Sequence, residues 1–206
     1  MVFCVLAAAA LAWDLGTKHV VFTDLGYPGV DTPAQRFAMP AVAGRHVLFE
    51  PHELEGKTPD YLDGWLKFRL FTSFNEGALW GLGQGWTAGF AALSVVAFAF
   101  VVYFLFWRGA ACSLWLTLAL GLITGGILGN LYDRLGLHGY ENPRTGETWR
   151  AVRDFLHFEF GALNWPVFNF ADVFLVTGAV MLVVQQIAVG SGEHEGESQQ
   201  SEPLND

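Results

Sequence analysis

Aspartates in apolar surroundings are the residues of this chain best suited to chemistry. Asp172 lies in an apolar run from residue 167 to 189 that contains no lysine or arginine, and Asn169 precedes it by three residues, on the same helical face. A carboxylate at the mouth of a membrane helix is costly unless it is paired, protonated or wetted. Asp154 is followed by the apolar residues Phe155 and Leu156, which would raise its carboxyl pKa by desolvation. Two such carboxyls facing each other would perform acid–base chemistry.

Further polar residues are spaced as neighbours on helices. Asp14 and Lys18 are four residues apart with the acid first, the favourable order for a side-chain pair. They form either a buried ion pair that holds a helix bundle or part of a substrate-positioning site. Asn130 and Arg134 are also four apart and flank Asp133, which predicts a self-satisfied polar network at a helix end.

Other hydrolytic constellations are missing from the sequence. It contains no His-Glu-x-x-His zinc motif and no Gly-x-Ser-x-Gly elbow. His157 with Glu159 is too sparse to indicate a metal site, and neither cysteine has a histidine close in sequence to activate it. Carboxylates remain as the reactive groups, and we expect neither a metal nor an organic cofactor.

The elements that must position these residues are membrane helices. The chain is 52% hydrophobic and 15% charged, too apolar for an ordinary soluble domain. Because about 20 apolar residues cross a bilayer, we predict an all-α membrane protein with four transmembrane helices. The predicted spans are residues 2–22, 86–107, 112–131 and 167–189.

The segments between spans carry signs of a small sheet. Trp65 to Phe71 alternates apolar and charged residues, which predicts a strand, and Arg45 to Glu50 is a second candidate. Asn142 to Gly146 is a turn signal that predicts a hairpin before Asp154. By parity, the long segments 23–85 and 132–166 share one side of the membrane. The domain is expected to end at residue 190, before a disordered acidic tail of residues 191–206.

Counting along these helices brings the polar residues into one layer. Asp14 and Lys18 fall in the far half of the first span, and Asp133 falls just beyond the third. Asp172 falls about 8 Å along the fourth, at 1.5 Å per residue. Together with Asp154, these residues can meet at the membrane surface on the long-segment side.

Charge does not settle the orientation of the spans. The net charge is −9, and nothing indicates nucleic-acid binding. The long segments hold nine of the eleven lysines and arginines, five in the first and four in the second, which would place them in the cytoplasm. Their acidic residues and length weaken that rule.

The first span does not resemble a cleaved signal peptide. It lacks the basic start of such a peptide, and Asp14 and Lys18 interrupt its apolar core.

In their order along the chain, these motifs resemble those of the lipoprotein signal peptidase family, also called bacterial signal peptidase II. Members of this family are membrane aspartyl proteases with four helices. The resemblance implies a catalytic pair formed by Asp154 and Asp172. It implies supporting polar roles for Asn130, Asp133, Arg134 and Asn169. It further implies that the site is lined or braced by Asp14, Lys18, Asn75 and Gly77.

The resemblance also implies a substrate and a location. The family removes signal peptides from diacylglyceryl-modified prolipoproteins by cleaving before the lipidated cysteine. The chain would be a multi-pass protein of the bacterial inner membrane, in contact with lipid, with its active site and its sheet or hairpin region facing the periplasm or outer surface. A monomer is expected.

Four departures from the family pattern accompany the resemblance. Leu15 replaces the usual glutamine, and Arg153 occupies an apolar position before Asp154. The connection from Arg134 to Asp154 is longer than usual, and the first long segment is enlarged over residues 27–62.

Three other functions would account for membrane-embedded charges. A presenilin-type protease would need a Gly-x-Gly-Asp motif, which is absent. A proton-coupled transporter could use the membrane charges as a relay, although no inverted repeat is present. An inactive membrane assembly factor is the third.

Overall fold

A computed structural model describes residues 1–26, 61–77, 83, 85–107, 109, 112–142 and 145–200, with side chains described to residue 188 in the last helix. Within those ranges the chain forms four long helices and a three-stranded antiparallel sheet. In chain order the elements are α1 Val2–Leu25, β1 Leu66–Asn75, α2 Thr87–Trp107, α3 Leu114–Arg134, β2 Val152–Phe160, β3 Leu163–Asn164 and α4 Phe170–Gln200. The predicted fold class is therefore confirmed.

All four helices are long and apolar enough to cross a membrane, α4 over its Phe170–Ala188 part. The central helix is α3, which contacts α1, α2 and α4 and buries residues along its whole length. In contrast, α2 buries only Val101 and Leu105 and leaves Phe100 and Phe106 exposed. An exposed apolar helix surface of this kind is suited to lipid and would be unstable in water.

Glycines on α3 allow α1 and α4 to approach closely. A Cβ atom at Gly125 would lie 2.5 Å from the Cβ of Ala10 on α1, and one at Gly126 would lie 2.5 Å from the carbonyl oxygen of Ala171 on α4. Small residues at helix contacts are the usual means of close packing in membranes, where van der Waals contact replaces the hydrophobic effect. This packing brings the polar ends of the three helices together.

The sheet aligns two segments that are far apart in sequence. In β1, Leu70 pairs with Leu156 and Ser73 with Asp154, so β1 carries one extra residue, a β-bulge. Side chains alternate between the two faces of a strand, and the bulge therefore turns Asn75 to the face that carries Asp154. Without the extra residue, Asn75 would point to the opposite face.

The predicted loop elements are confirmed where they are described. β1 begins at Leu66, one residue after the predicted start at Trp65, and extends beyond Phe71 to Asn75. A bridge between Glu141 and Thr148 closes the predicted hairpin before Asp154. The candidate strand from Arg45 to Glu50 lies outside the described residues.

The ends of α1 and α3 and the starts of α2, α3 and α4 differ by one to three residues from the predicted spans, and α4 ends well beyond its predicted span. α3 continues to Arg134, so Asp133 lies in its last turn and not beyond it. α4 begins at Phe170 and not at residue 167, because Phe168 pairs with Leu156 of β2 and keeps that segment extended. Asp172 therefore lies in the first turn, nearer the helix start than the predicted 8 Å. α4 also continues to Gln200, into the predicted disordered tail, and residues 201–206 lie outside the described ranges.

Candidate active site

Asp154 occupies a buried position on β2 between two asparagine donors. Its side chain is 2% exposed. Asn75 Nδ2 donates to Oδ2 at 3.0 Å, and Asn169 Nδ2 donates to Oδ1 at 2.6 Å. Burial, and then the neighbouring carboxylate of Asp172, raises the pKa of Asp154 well above the usual aspartate range, against the two hydrogen bonds, which lower it. This carboxyl therefore holds a proton to higher pH than an exposed aspartate would.

Asp172 lies at the start of α4 in a reciprocal cap. The Asp172 backbone N–H donates to Asn169 Oδ1 at 3.1 Å, and the Asn169 backbone N–H donates to Asp172 Oδ2 at 3.2 Å. This pattern is a capping box, with asparagine before the helix and the acid in its first turn. Asn130 of α3 adds a third bond, from Nδ2 to Asp172 Oδ1 at 2.8 Å. The carboxylate is thus fixed by the helix that carries it and by α3.

Asn169 joins the two carboxyl groups. Its side chain donates to Asp154 and its backbone to Asp172, so the two acids flank a single residue. Within the described part of the chain, neither acid forms an ion pair. Two neighbouring carboxyls with no cation in direct contact favour a state in which one is protonated, and the charge of Arg134 acts on both from a longer distance.

A buried ion cluster lies beneath this pair. Lys18 Nζ lies 2.7 Å from Asp14 Oδ2, 3.1 Å from Asp133 Oδ2 and 3.3 Å from Asn130 Oδ1. The other oxygen of Asp14 accepts the backbone N–H of Ala171 at 2.8 Å. The predicted Asp14–Lys18 pair is therefore present, and it ties α1 to both α3 and α4.

Asp133 has a second cation partner that sequence analysis did not include in the site. Arg153 donates from Nε and Nη2 to Asp133 Oδ1 at 3.0 and 2.8 Å, and from its backbone N–H to Oδ2 at 3.0 Å. The sequence signal was present, because Arg153 directly precedes Asp154, but it was interpreted only as a departure from the family pattern.

The predicted self-contained network at the end of α3 is not formed as expected. Asn130 bonds to Lys18, Asn169 and Asp172, and not to Arg134. Arg134 Nη2 donates instead to the Gly77 carbonyl oxygen at 3.3 Å.

The segment after β1 is held beside the site by its own turn. The Gly77 backbone N–H donates to Asn75 Oδ1 at 2.9 Å. This bond orients the asparagine amide, so that Nδ2 points to Asp154. Because Arg134 bonds to Gly77, it helps to hold the turn that orients Asn75 towards Asp154.

The ten residues singled out from the sequence thus form one connected polar layer. They lie in the second half of α1, at the end of α3, at and just before the start of α4, on β1 and β2, and in the segment after β1. Among the residues that the structure describes, no three His, Cys, Asp or Glu side chains are grouped as a metal site. The available chemistry in this layer is proton transfer between carboxyls and hydrogen bonding from asparagines.

The chain is similar to known proteins over most of its length. The family model described as signal peptidase (SPase) II matches residues 6–188. A lipoprotein signal peptidase of Rhodopirellula baltica is 41% identical over 180 residues, covering 81% of this chain and 79% of the relative. A lipoprotein signal peptidase of Bacillus pumilus is 34% identical over 140 residues, covering 68% of this chain and 81% of the relative.

A solved bacterial membrane enzyme has the same fold. It superposes with a TM-score of 0.63 at 22% identity, over 92% of this chain and 90% of the other. The chain, with its four membrane-spanning helices, belongs to the signal peptidase II family of proteases.

Proposed function

We propose that this protein is a membrane aspartyl endopeptidase that removes signal peptides from diacylglyceryl-modified prolipoproteins, with Asp154 and Asp172 as its catalytic pair. One observation carries the proposal: Asn169 hydrogen-bonds to both carboxyls, and in the described ranges no cation pairs with either. Such a pair can share one proton and hold a water molecule between its members.

The surroundings of the two acids differ, which suggests how they divide the work. Asp154 is deeply buried, and this burial raises the pKa of its carboxyl, which favours the protonated form. Asp172 lies in the first turn of α4, where the helix dipole and the Asn169 N–H stabilise negative charge. In the proposal, Asp154 is the acid and Asp172 the base at the start of the reaction.

Hydrolysis then proceeds in two proton transfers. Ionised Asp172 takes a proton from the water as its oxygen attacks the scissile carbonyl carbon, while protonated Asp154 donates a hydrogen bond to the developing oxyanion. The C–N bond breaks and the leaving nitrogen receives a proton from the pair. The products are the carboxylic acid of the signal peptide and the amine of the lipidated cysteine, and the pair again holds one proton. The product acid then loses its proton to the amine or to water, which leaves a carboxylate.

The supporting residues keep this geometry in place. Asn75, Asn130 and Asn169 donate to the two acids and fix their orientation. The cluster of Lys18 with Asp14 joins the helix ends that carry them. Preorganised groups of this kind need not rearrange during the reaction, which lowers its barrier.

The remaining parts of the proposal concern the substrate and the membrane. The protein acts in the bacterial inner membrane as one domain, residues 1–190, and as a monomer in contact with lipid. Its polar layer faces the periplasm or outer surface, where lipoprotein precursors present their modified cysteine. No metal or organic cofactor takes part in the proposed steps.

A cleavage assay with two precursors tests the substrate. The purified protein is incubated with a diacylglyceryl-modified prolipoprotein and with the same precursor lacking the lipid, and the products are identified by mass spectrometry. We expect a released signal peptide that ends just before the cysteine, and much slower cleavage without the lipid. Equal rates on both precursors would contradict the lipid requirement, and cleavage elsewhere would contradict the proposed specificity.

A further inference from the structure

We infer that Arg153 is a positioning residue for Asp154, acting as a strut between β2 and the end of α3. The inference rests on the proposed function, since it assigns Arg153 a role only through the acid that follows it in the chain. The hydrogen bonds of Arg153, its burial, and the aromatic rings that cover it support this role.

The contacts of Arg153 fix both its side chain and its backbone. The guanidinium forms two bonds to Asp133 Oδ1, and the Arg153 backbone N–H forms a third, to Oδ2. A planar guanidinium bonded through two of its nitrogens has little freedom to rotate. Because successive side chains on a strand point to opposite faces, a strut from Arg153 on one face sets the direction of Asp154 on the other.

The acceptor of this strut is itself held in place. Asp133 lies in the last turn of α3, is fully buried, and also pairs with Lys18 of α1. The strut therefore joins β2 to the ion cluster that connects α1, α3 and α4. In this way the position of Asp154 is fixed relative to α4, the helix that carries Asp172.

Aromatic rings cover the strut. Arg153 is 3% exposed, and its guanidinium carbon lies 6.0 Å from the centre of the Phe22 ring and 5.8 Å from that of Tyr140. Tyr140 belongs to the hairpin that lengthens the connection from Arg134 to Asp154. The two departures from the family pattern, the arginine and the long connection, thus meet at one place.

Stability alone does not account for a buried arginine here. A buried ion pair often stabilises a fold no more than apolar residues of similar volume would, because removing charges from water is costly. The value of the pair is then its directional geometry, which apolar contacts do not supply. A positioning role predicts a loss of turnover, whereas a purely structural role predicts a loss of thermal stability only.

The test compares Arg153→Met with Arg153→Lys and with a matched control, Arg69→Met. Arg69 is 1% exposed, lies on β1 of the same sheet and pairs with Glu159, away from Asp133. For each purified full-length variant, kcat and KM are measured on a lipidated precursor per folded molecule, with the melting temperature measured in parallel. Asp154→Asn serves as the inactive reference.

We expect Arg153→Met to lower kcat by about 10- to 100-fold with KM nearly unchanged, the loss that follows from misplacing a reacting group by about 1 Å. Arg153→Lys should recover part of the lost kcat, because lysine keeps the positive charge but lacks the planar guanidinium that bonds to Asp133 through two nitrogens. Arg69→Met should keep its kcat even if it melts at a lower temperature.

A wild-type kcat in Arg153→Met would overturn the inference. If that variant does not fold, Arg153→Lys decides, and a wild-type kcat there would also overturn it. The reference separates this inference from the proposed function: an active Asp154→Asn enzyme would refute the catalytic pair, whereas an inactive one beside a fully active Arg153→Met would refute only the strut.

Discussion

Replacing Asn75 with leucine should move the alkaline limb of the pH–activity profile to higher pH. Asn75 Nδ2 donates to Asp154 Oδ2 at 3.0 Å. Burial and Asp172 raise the pKa of Asp154, and the bond from Asn75 opposes them by stabilising the ionised form. Without that bond, the pKa rises further and the acid stays protonated to higher pH. Leucine keeps the number of side-chain heavy atoms and the branching at Cγ, and it replaces the amide oxygen and nitrogen by two somewhat larger methyl groups.

The size of the shift follows from the strength of the bond. A hydrogen bond to a charged group contributes about 1.5 to 3 kcal/mol, and the lower value applies because Asn169 continues to donate to the same carboxylate. About 1.4 kcal/mol corresponds to one pKa unit, so the limb should move by roughly one unit. The maximal rate should also fall, since the Asn75 side chain no longer holds the Gly77 N–H.

The assay is kcat/KM on a lipidated precursor across a wide pH range, whose alkaline limb reports the acid of the free enzyme. Activity is lost as rising pH deprotonates Asp154. A higher pKa of Asp154 therefore extends the activity to higher pH. Glu76→Gln is the matched control, because Glu76 lies in the same segment and accepts from Trp149 Nε1 at 3.1 Å. A limb that stays in place or moves downward in Asn75→Leu would refute the reasoning.

Two further substitutions probe the packing beneath the acids. Gly129→Ala would place a Cβ atom in steric overlap with Asp14 Oδ2, so we expect the protein to lose about 1–3 kcal/mol of stability, measured by thermal unfolding. The control is Gly16→Ala on the open face of α1, which should not destabilise the protein. Lys18→Met removes a fully buried cation from between Asp14 and Asp133, which should cost about 3 kcal/mol and lower the melting temperature; an unchanged melting temperature would contradict the ion cluster.

Local spacing was sufficient to predict the helical pair and the first strand. Asp14 and Lys18 meet because residues four apart share a helix face, whatever the rest of the fold does. Trp65 to Phe71 forms a strand because its apolar residues alternate. The four spans follow from length and hydropathy alone.

The partners of the polar residues could not be predicted in this way. Asn130 was expected to bond within its own helix, but the close approach of α4 gives it Asp172 instead. That approach depends on glycine contacts between helices, such as the one at Gly126, and not on local spacing. The face on which Asn75 lies depends on a bulge that no local pattern announces. The start of α4 was misplaced because the pairing of Phe168 with β2 is a tertiary contact.

The catalytic roles assigned to Asp154 and Asp172 are tested most directly by single-turnover cleavage of a lipidated precursor by Asp154→Asn and Asp172→Asn, with the exposed Asp63→Asn as control. We expect both site variants to retain the wild-type fold and to bind the precursor but to release no signal peptide, while Asp63→Asn cleaves at the wild-type rate. Wild-type cleavage by either folded site variant would contradict it.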